Sequence, residues 1–349
     1  MNENELEKQF LQLVKIMEQM QKREVELEQY NKILMNGNRQ IIDWVRMLEK
    51  DIKLLQANIK YEILDPRTQN ELLWYPTIVP QERTLDLLIN DGKSISRFGD
   101  GEFAAISGEV RHKFQTDVDW KLAKRLQEVL ASDNDNLLIG IADNYGSLEK
   151  YTENAQREIR YYMTSDVRRK HLQILQQGRE YHDAYISRPY AMYRDNGSQA
   201  PGERFDKLKQ LWKGKSCVFV EGNKTRMGVG NDLFAGVASI KRILGPAENA
   251  FRCYEAILAE CKKMPKDSLF ILALGPTASV LAYDLCKDGY QALDLGHVDL
   301  EYEWYLQGKG GRTKVPTKYN NELENGNEVL DVQDSWYEEQ IVARIISNC

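Results

Sequence analysis

A seven-residue repeat runs through the first sixty residues and constrains the fold more tightly than any other feature of the chain. Leu6, Leu13, Met20, Leu27, Leu34, Ile41, Leu48 and Leu55 recur at every seventh position. Phe10, Met17, Glu24, Asn31, Asn38, Val45, Ile52 and Ile59 fill the position four residues later. An apolar seam of this spacing is that of a coiled coil, whose supercoil keeps the stripe against a partner helix. With the leucine series at d, Asn31 and Asn38 fall at a. Asparagine there costs stability and is accommodated best in a parallel two-stranded coil, paired across the axis. Two arrangements compete. One is a single helix of roughly 85 Å, at ~1.5 Å per residue. The other is a hairpin that turns at Asn36-Gly37-Asn38. The register passes unbroken through Gly37, which favours the single helix. Residues 1–63 are therefore expected to be an oligomerisation stalk that joins two copies as a homodimer.

Asp65-Pro66 stops that helix, because proline removes a donor and restricts the residue before it. Residues 64–80, with Pro66, Pro76 and Pro80, read as a linker. From 81 to 349 the pattern changes to short apolar runs alternating with amphipathic stretches. Strands are expected at 94–97, 137–142, 184–187, 216–221, 239–243, 268–273 and 291–295. Helices are expected at 81–90, 119–131, 153–176, 203–212, 248–263 and 277–287, with a closing helix from Tyr337 to Ile346. The fold class implied is α/β: a Rossmann-like, mostly parallel sheet with helices on both faces.

The net charge of −6 argues against a protein held by nucleic-acid phosphates, which needs a basic footprint. No stretch approaches the ~20 apolar residues of a transmembrane helix. The first residues lack a basic-then-apolar leader pattern. Cys217, Cys253, Cys261, Cys286 and Cys349 form no C-x-x-C and read as small buried hydrophobes in a reducing compartment. Together these features predict a cytoplasmic protein, with the inner face of the membrane as a further place of work.

Two acidic clusters carry the chemistry. The first is Arg97-Phe98-Gly99-Asp100-Gly101-Glu102, directly after an apolar run. Two carboxylates flanking a glycine on a turn can approach one hard divalent cation that bridges to phosphates. Arg97 can neutralise the pair or hold a phosphate. The second cluster is Asp294-Leu295-Gly296-His297-Val298-Asp299-Leu300-Glu301-Tyr302-Glu303. His297 can be a metal ligand, a base or a phosphate partner. If the segment is extended, Asp299, Glu301 and Glu303 point to one side, and Asp299 or Glu301 can serve as base for a sugar hydroxyl. If Asp299 starts a helix, the acids lie on its surface. A glycine-rich loop spans Glu221, Gly222, Lys224, Arg226, Gly228, Gly230, Asn231 and Asp232. Its free N–H groups can cradle a diphosphate. Gly275-Pro276-Thr277, between a strand and a helix, is a second candidate anion site. Arg188 can bind phosphate and Tyr190 can stack on a base.

In this order, these motifs resemble the bacterial GT-D-type glycosyltransferases, formerly a domain of unknown function. The resemblance covers about residues 75–320 and excludes the heptad segment. It implies a metal-dependent (Mn²⁺ or Mg²⁺) hexosyltransferase that takes a nucleotide sugar, typically UDP-glucose. The acceptor it implies is a glycan or glycopeptide in bacterial surface glycoprotein or polysaccharide synthesis. It further implies that Asp100 and Glu102 are the family's D-x-E metal motif, and that Gly296, His297 and Asp299 are its Gly-His-x-Asp element. A nucleotide-sugar hydrolase, or a nucleotide-sugar-binding scaffold that works through its coiled coil, are the alternatives.

Overall fold

The computed structural model describes residues 3–61, 74–111, 113–323 and 325–345, with side chains from residue 14 onward. The chain divides into two units, 1–64 and 65–349.

In the first unit, α1 (Glu3–Ile59) is one uninterrupted helix of 57 residues. It runs straight through Gly37, so the hairpin alternative is excluded. The described seam residues Met20, Leu27, Leu34, Ile41, Leu48 and Leu55 are exposed, as are Met17, Val45, Ile52 and Ile59. The side chains of Leu6, Phe10 and Leu13 lie outside the described residues, as does most of the expected linker.

The second unit is built on a nine-stranded sheet in which every pairing is parallel. Its strands in chain order are β1 (Thr77–Val79), β2 (Ser94–Phe98), β3 (Leu137–Ile141), β4 (Glu180–Asp183) and β5 (Ser216–Gly222), followed by β6 (Ser239–Gly245), β7 (Leu269–Ala273), β8 (Gln291–Asp294) and β9 (Ile341–Arg344). Their order across the sheet is β1-β4-β3-β2-β8-β7-β5-β6-β9. β3 and β7 are buried along their whole length, as strands covered on both faces must be. The connection leaving β2 runs to its neighbour β3, whereas the chain leaving β8 next forms a strand at the opposite edge. The β2/β8 junction is thus a topological switch point, where ligands of open α/β sheets bind beyond the carboxyl ends of the strands.

Among the described residues ten α-helices accompany the sheet. They begin with α2 (Gln81–Asn90), α3 (Asp100–Ile106), α4 (Trp120–Leu130), α5 (Glu153–Tyr162) and α6 (Ser165–Ile174). The others are α7 (Ala200–Lys209), α8 (Tyr254–Cys261), α9 (Pro276–Lys287), α10 (Val298–Gln307) and α11 (Ser335–Glu339). The core gathers Phe205, Trp212, Phe219 and Trp304, all almost completely buried.

Several elements differ from the sequence expectation for local reasons. The helix expected over 153–176 is split, because the Thr164 hydroxyl accepts from the Val167 N–H and starts a new helix. The strand expected at 184–187 ends at Asp183, whose carboxylate accepts from the Tyr185 N–H (2.8 Å) and turns the chain into a 3₁₀ turn, Ala184–Ser187. The stretch expected as linker supplies β1. The closing helix is shorter than expected: α11 ends at Glu339 and the chain then adds β9 to the edge at β6. Cys217, Cys261 and Cys286 are free and buried, as expected. Cys253 is disulfide-bonded, which corrects the reading of it as a free thiol. Cys349 lies outside the described residues.

Candidate functional site

A cavity of about 620 Å³ opens beyond the carboxyl ends of β2, β3, β4, β7 and β8. Of the residues singled out from sequence, Asp100, Glu102, Arg97, Arg188, His297 and Asp299 line it, with Gly275 and Pro276. The two acidic clusters, about two hundred residues apart in the chain, therefore meet at one site.

Asp100 and Glu102 are in the first turn of α3 rather than on a free turn. Glu102 reaches back so that its Oε2 accepts from the Gly99 N–H at 2.8 Å, closing the helix start. Burial, and then the nearby Asp294, push the Glu102 carboxyl up to about 7, against the lowering effect of the Gly99 N–H. Asp100 is more open. Its Oδ2 accepts from Arg111 Nε at 2.6 Å, and the Arg111 guanidinium lies 4.0 Å from the centre of the Tyr162 ring. Nothing in the sequence marks Arg111, which lies in the irregular stretch between α3 and α4.

Arg97 does not neutralise this acid pair through a direct ion pair. Its Nη2 donates to Asp294 Oδ1 (2.9 Å), its backbone N–H to Asp294 Oδ2 (3.2 Å) and its Nη1 to Ser187 Oγ (2.5 Å). It ties β2 to β8 and to the turn after β4. Ser279, in α9, completes the clamp with a bond to Asp294 Oδ2 at 3.1 Å.

His297 stands immediately before α10. Its Nε2 lies 3.3 Å from Glu322 Oε1 and 3.4 Å from Asn321 Oδ1. Burial, and then the Arg188 charge, push its pKa down to about 3, so the imidazole is neutral. Glu322 is held well below the usual carboxylate range: burial acts to raise it, but Arg188, His297 and Arg312 outweigh that. Arg312 and Glu322 were not legible from sequence. They lie in coil after α10, and Glu322 meets Arg188 across 134 positions.

The remaining acids of the second cluster have other duties. The segment is helical, so Asp299 and Glu303 share a face and Glu301 does not, which corrects the extended reading. Asp299 Oδ1 accepts from the Gly228 N–H (2.9 Å) and Asn231 Nδ2 (2.8 Å), and its Oδ2 from Lys318 Nζ (2.7 Å). Glu303 Oε1 accepts from the same Lys318 and Asn231. Glu301 Oε2 accepts the backbone N–H groups of Tyr190 (3.1 Å) and Ala191 (2.8 Å), and burial pushes its carboxyl up to about 6. Both acids proposed as base thus hold loops through these contacts, Asp299 while lining the cavity.

The glycine-rich segment is latched onto its own chain. Gly228 adopts φ 75°, and a Cβ there would lie 2.7 Å from Phe234 Cδ2, so a glycine is required where the loop folds onto the core. Arg226 turns away from the cavity, and its Nη1 donates to the Thr317 carbonyl (2.9 Å) and the Leu330 carbonyl (2.5 Å). Glu221 is fully buried in an ion pair with Arg242 (2.5 Å). Asp232 accepts from Tyr302 OH (2.7 Å). Gly222 ends β5, and Gly230 takes φ 84° in the latch. From this loop, Thr225 is the residue that reaches the cavity. Tyr190 is buried, with its hydroxyl accepting from the Gly310 N–H (2.8 Å), so it packs and does not stack on a base. Thr277 is buried in the first turn of α9. Gly275, at φ 54°, faces Phe114 so closely that a Cβ would lie 2.9 Å from it.

Among the described residues no group of three or more His, Cys, Asp or Glu side chains is gathered as a metal cage. His297 is turned to Glu322 and Asn321, so Asp100, Glu102 and His297 do not form a preassembled three-ligand centre. Asp100 and Glu102 are the two carboxylates of the first turn of α3 that line the cavity. Carboxylates are the ligand type that Mg²⁺ takes beside substrate phosphates and waters.

A family model described as the glycosyltransferase GT-D fold matches residues 95–323. Among curated proteins, the chain is 38% identical over 270 residues to "Probable glycosyl transferase Gly" of Streptococcus gordonii, covering 77% of this chain and 39% of that protein. It is 35% identical over 272 residues to "Glycosyltransferase GlyD" of Streptococcus pneumoniae serotype 4, covering 76% of this chain and 32% of that one. The chain thus spans well under half the length of these two relatives. A solved structure of domain of unknown function 1792, described as having a distinct glycosyltransferase fold, shares 37% identity at a TM-score of 0.72. That match covers 77% of this chain and 96% of the solved one. A glycosyltransferase of the same domain type from Streptococcus sanguinis shares 36% identity at a TM-score of 0.72, over 78% of this chain and all of the solved one.

Proposed function

Since the chain belongs to the glycosyltransferase family of the GT-D fold, we propose that its cavity transfers a hexosyl group from a nucleotide sugar to a hydroxyl of a glycan acceptor. UDP-glucose is the donor we infer, with a divalent metal ion, Mn²⁺ or Mg²⁺. The observation that carries the reading is the position of Asp100 and Glu102. They stand at the carboxyl end of β2, at the switch point of a parallel sheet, on the wall of a cavity.

Asp100 and Glu102 would hold the metal. When bound, such an ion offsets charge on the diphosphate as the sugar–phosphate bond breaks. The chain's own residues prepare the site in three ways. The bond from the Gly99 N–H to Glu102 Oε2 fixes the start of α3 and the direction of the Glu102 carboxylate. The Arg97–Asp294–Ser279 clamp holds β2, β8 and α9 in register, so that the cavity wall does not depend on the ligand. Asp299 and Lys318 pin the latch and the coil after α10, leaving Thr225 and Tyr319 at the cavity. The product would enter bacterial surface glycoprotein or polysaccharide synthesis, in a homodimer held by α1.

The test is nucleotide release from a panel of nucleotide sugars with and without Mn²⁺, and with and without a glycan acceptor. We expect UDP-glucose turnover that chelator abolishes, Mn²⁺ restores and acceptor stimulates. Asp100→Asn and Glu102→Gln should lose turnover while keeping the melting temperature. Full turnover in chelator would refute the metal role. A rate indifferent to every acceptor tried would make the protein a hydrolase.

A further inference from the structure

The acid pair does not account for a second feature of the cavity. Glu322 is a carboxylate set between two guanidiniums and the neutral His297 imidazole. Arg188 Nη2 donates to its Oε1, and His297 Nε2 is 3.3 Å from the same atom. Arg312 Nε is 3.1 Å from its Oε2. All four residues line the cavity. They come from the turn after β4, the start of α10 and the coil beyond it.

Holding that coil in place is a poor reason for this cluster. Lys318 already bolts it to Asp299 and Glu303, and the Tyr319 N–H donates to the Lys224 carbonyl at 3.0 Å. Removing charges from water costs about what their attraction returns, so a partly buried ion cluster is weak evidence of a stabilising role. The pairing is also imperfect. Each guanidinium presents five N–H donors in a fixed fork. Arg312 is shared, its Nη1 pairing with Glu158 Oε2 at 3.0 Å, and Glu322 Oε2 still accepts no aligned hydrogen bond although Arg312 Nε is 3.1 Å away, so the two forks are not filled by Glu322. Two arginines facing one point in a cavity match an anion with more oxygens than a carboxylate has.

We propose that Arg188 and Arg312 form the anion subsite that takes the donor's diphosphate, and that Glu322 is an internal stand-in which occupies the subsite until the donor displaces it. This rests on the nucleotide-sugar reading above. The acidic side of the cavity has the same character: Arg111 sits on Asp100. Both signs of charge are neutralised from within the chain, and a metal–diphosphate complex would replace both internal partners together. Glu322 lies four residues beyond the Lys318 anchor, so it can leave Arg188 without releasing the coil.

The test uses the full chain and inorganic pyrophosphate as probe, by titration calorimetry at low salt. A site available about a tenth of the time loses about tenfold in apparent affinity. Glu322→Gln, which keeps the shape and removes the charge, should therefore bind pyrophosphate about tenfold more tightly than wild type. Adding Arg188→Gln should cancel the gain. A melting curve checks folding, and Glu322→Asp, which keeps the charge but shortens its reach, should show a smaller gain. Equal or weaker binding in a folded Glu322 variant overturns the proposal. A structure with UDP and Mn²⁺ decides independently of any variant. Phosphate oxygens on Arg188 and Arg312, with Glu322 moved away, support the subsite, whereas Glu322 still on Arg188 and the diphosphate elsewhere overturn it. If wild type binds no UDP even with metal, the donor reading itself falls, and the subsite with it.

Discussion

Asp299→Asn separates a catalytic acid from a positioning one. Asp299 is buried, and both of its oxygens are engaged: one with two N–H donors, the other with the Lys318 ammonium at 2.7 Å. Asparagine has the same shape but carries its own donor. Whichever way the amide is turned, an NH₂ meets either the ammonium or the Gly228 and Asn231 donors. Losing one partner of a buried pair costs about 3–5 kcal/mol. Lys318 keeps Glu303 at 2.7 Å, so the lower end of that range applies, about 3 kcal/mol. At ~2–4 °C per kcal/mol, the melting temperature should fall by roughly 6–12 °C. Lys318→Met leaves the buried Asp299 and the partly buried Glu303 without their counter-charge, though Asn231 still donates to both, and should cost more, about 4–5 kcal/mol. The assay is thermal unfolding by circular dichroism, beside UDP-glucose turnover at a temperature where both proteins are folded. Positioning predicts a large loss of stability with turnover reduced in proportion to the loosened latch. An Asp299→Asn protein with unchanged melting temperature and abolished turnover would refute this and restore Asp299 as the base.

Two further outcomes follow from the same structure. His171 lies against Phe103, with ring centroids 3.9 Å apart, and its Nδ1 is 2.8 Å from Tyr145 OH. Burial pushes its pKa down to about 4, so the fold needs it neutral while the unfolded chain protonates it below ~6.5. Stability from this group is therefore lost as pH falls from ~6.5 towards 4. Urea unfolding should show wild type losing about 2 kcal/mol more than His171→Gln between pH ~6.5 and ~4.5, and equal slopes would refute the assignment. Deleting residues 1–63 should convert a dimer to a monomer by light scattering and leave UDP-glucose turnover intact, because the cavity residues all lie in the second unit. A full-length monomer would end the stalk model.

The family motifs found the cavity, and the structure adds the partners that each motif residue holds within the chain. Asp100, Glu102, Arg188 and His297 were visible because they sit just beyond apolar runs, where a parallel sheet delivers side chains to its carboxyl edge. The loop from Gly222 to Asp232 carries the same outward signs, glycines and cations after a strand, yet it serves as a latch. Its N–H groups and Asn231 are drawn to Asp299 and Glu303, and Arg226 to the carbonyls of Thr317 and Leu330. A glycine pattern specifies backbone freedom, and it does not specify which acceptor the freed N–H will meet. Arg111, Arg312 and Glu322 had no local signature at all, since each sits in irregular chain.

The elements themselves were written locally. The single helix Glu3–Ile59 follows from a seven-residue spacing that survives Gly37, and the strand–helix alternation from periodicities of two and 3.6 residues. These depend on contacts along the chain, so neighbouring residues determine them. The order of strands, the meeting of β2 with β8, and the pairing of Arg188 with Glu322 across 134 positions were decided by tertiary packing. Charge makes the difference plain. The chain states only that it carries 47 basic and 53 acidic residues. Burial and distance decide that Lys318 belongs to Asp299 and Glu303, that Arg242 belongs to Glu221, and that Asp100 and Glu322 face the cavity. A carboxylate's role is set by what surrounds it in space, because desolvation and Coulomb attraction act over a few ångströms and take no account of sequence distance.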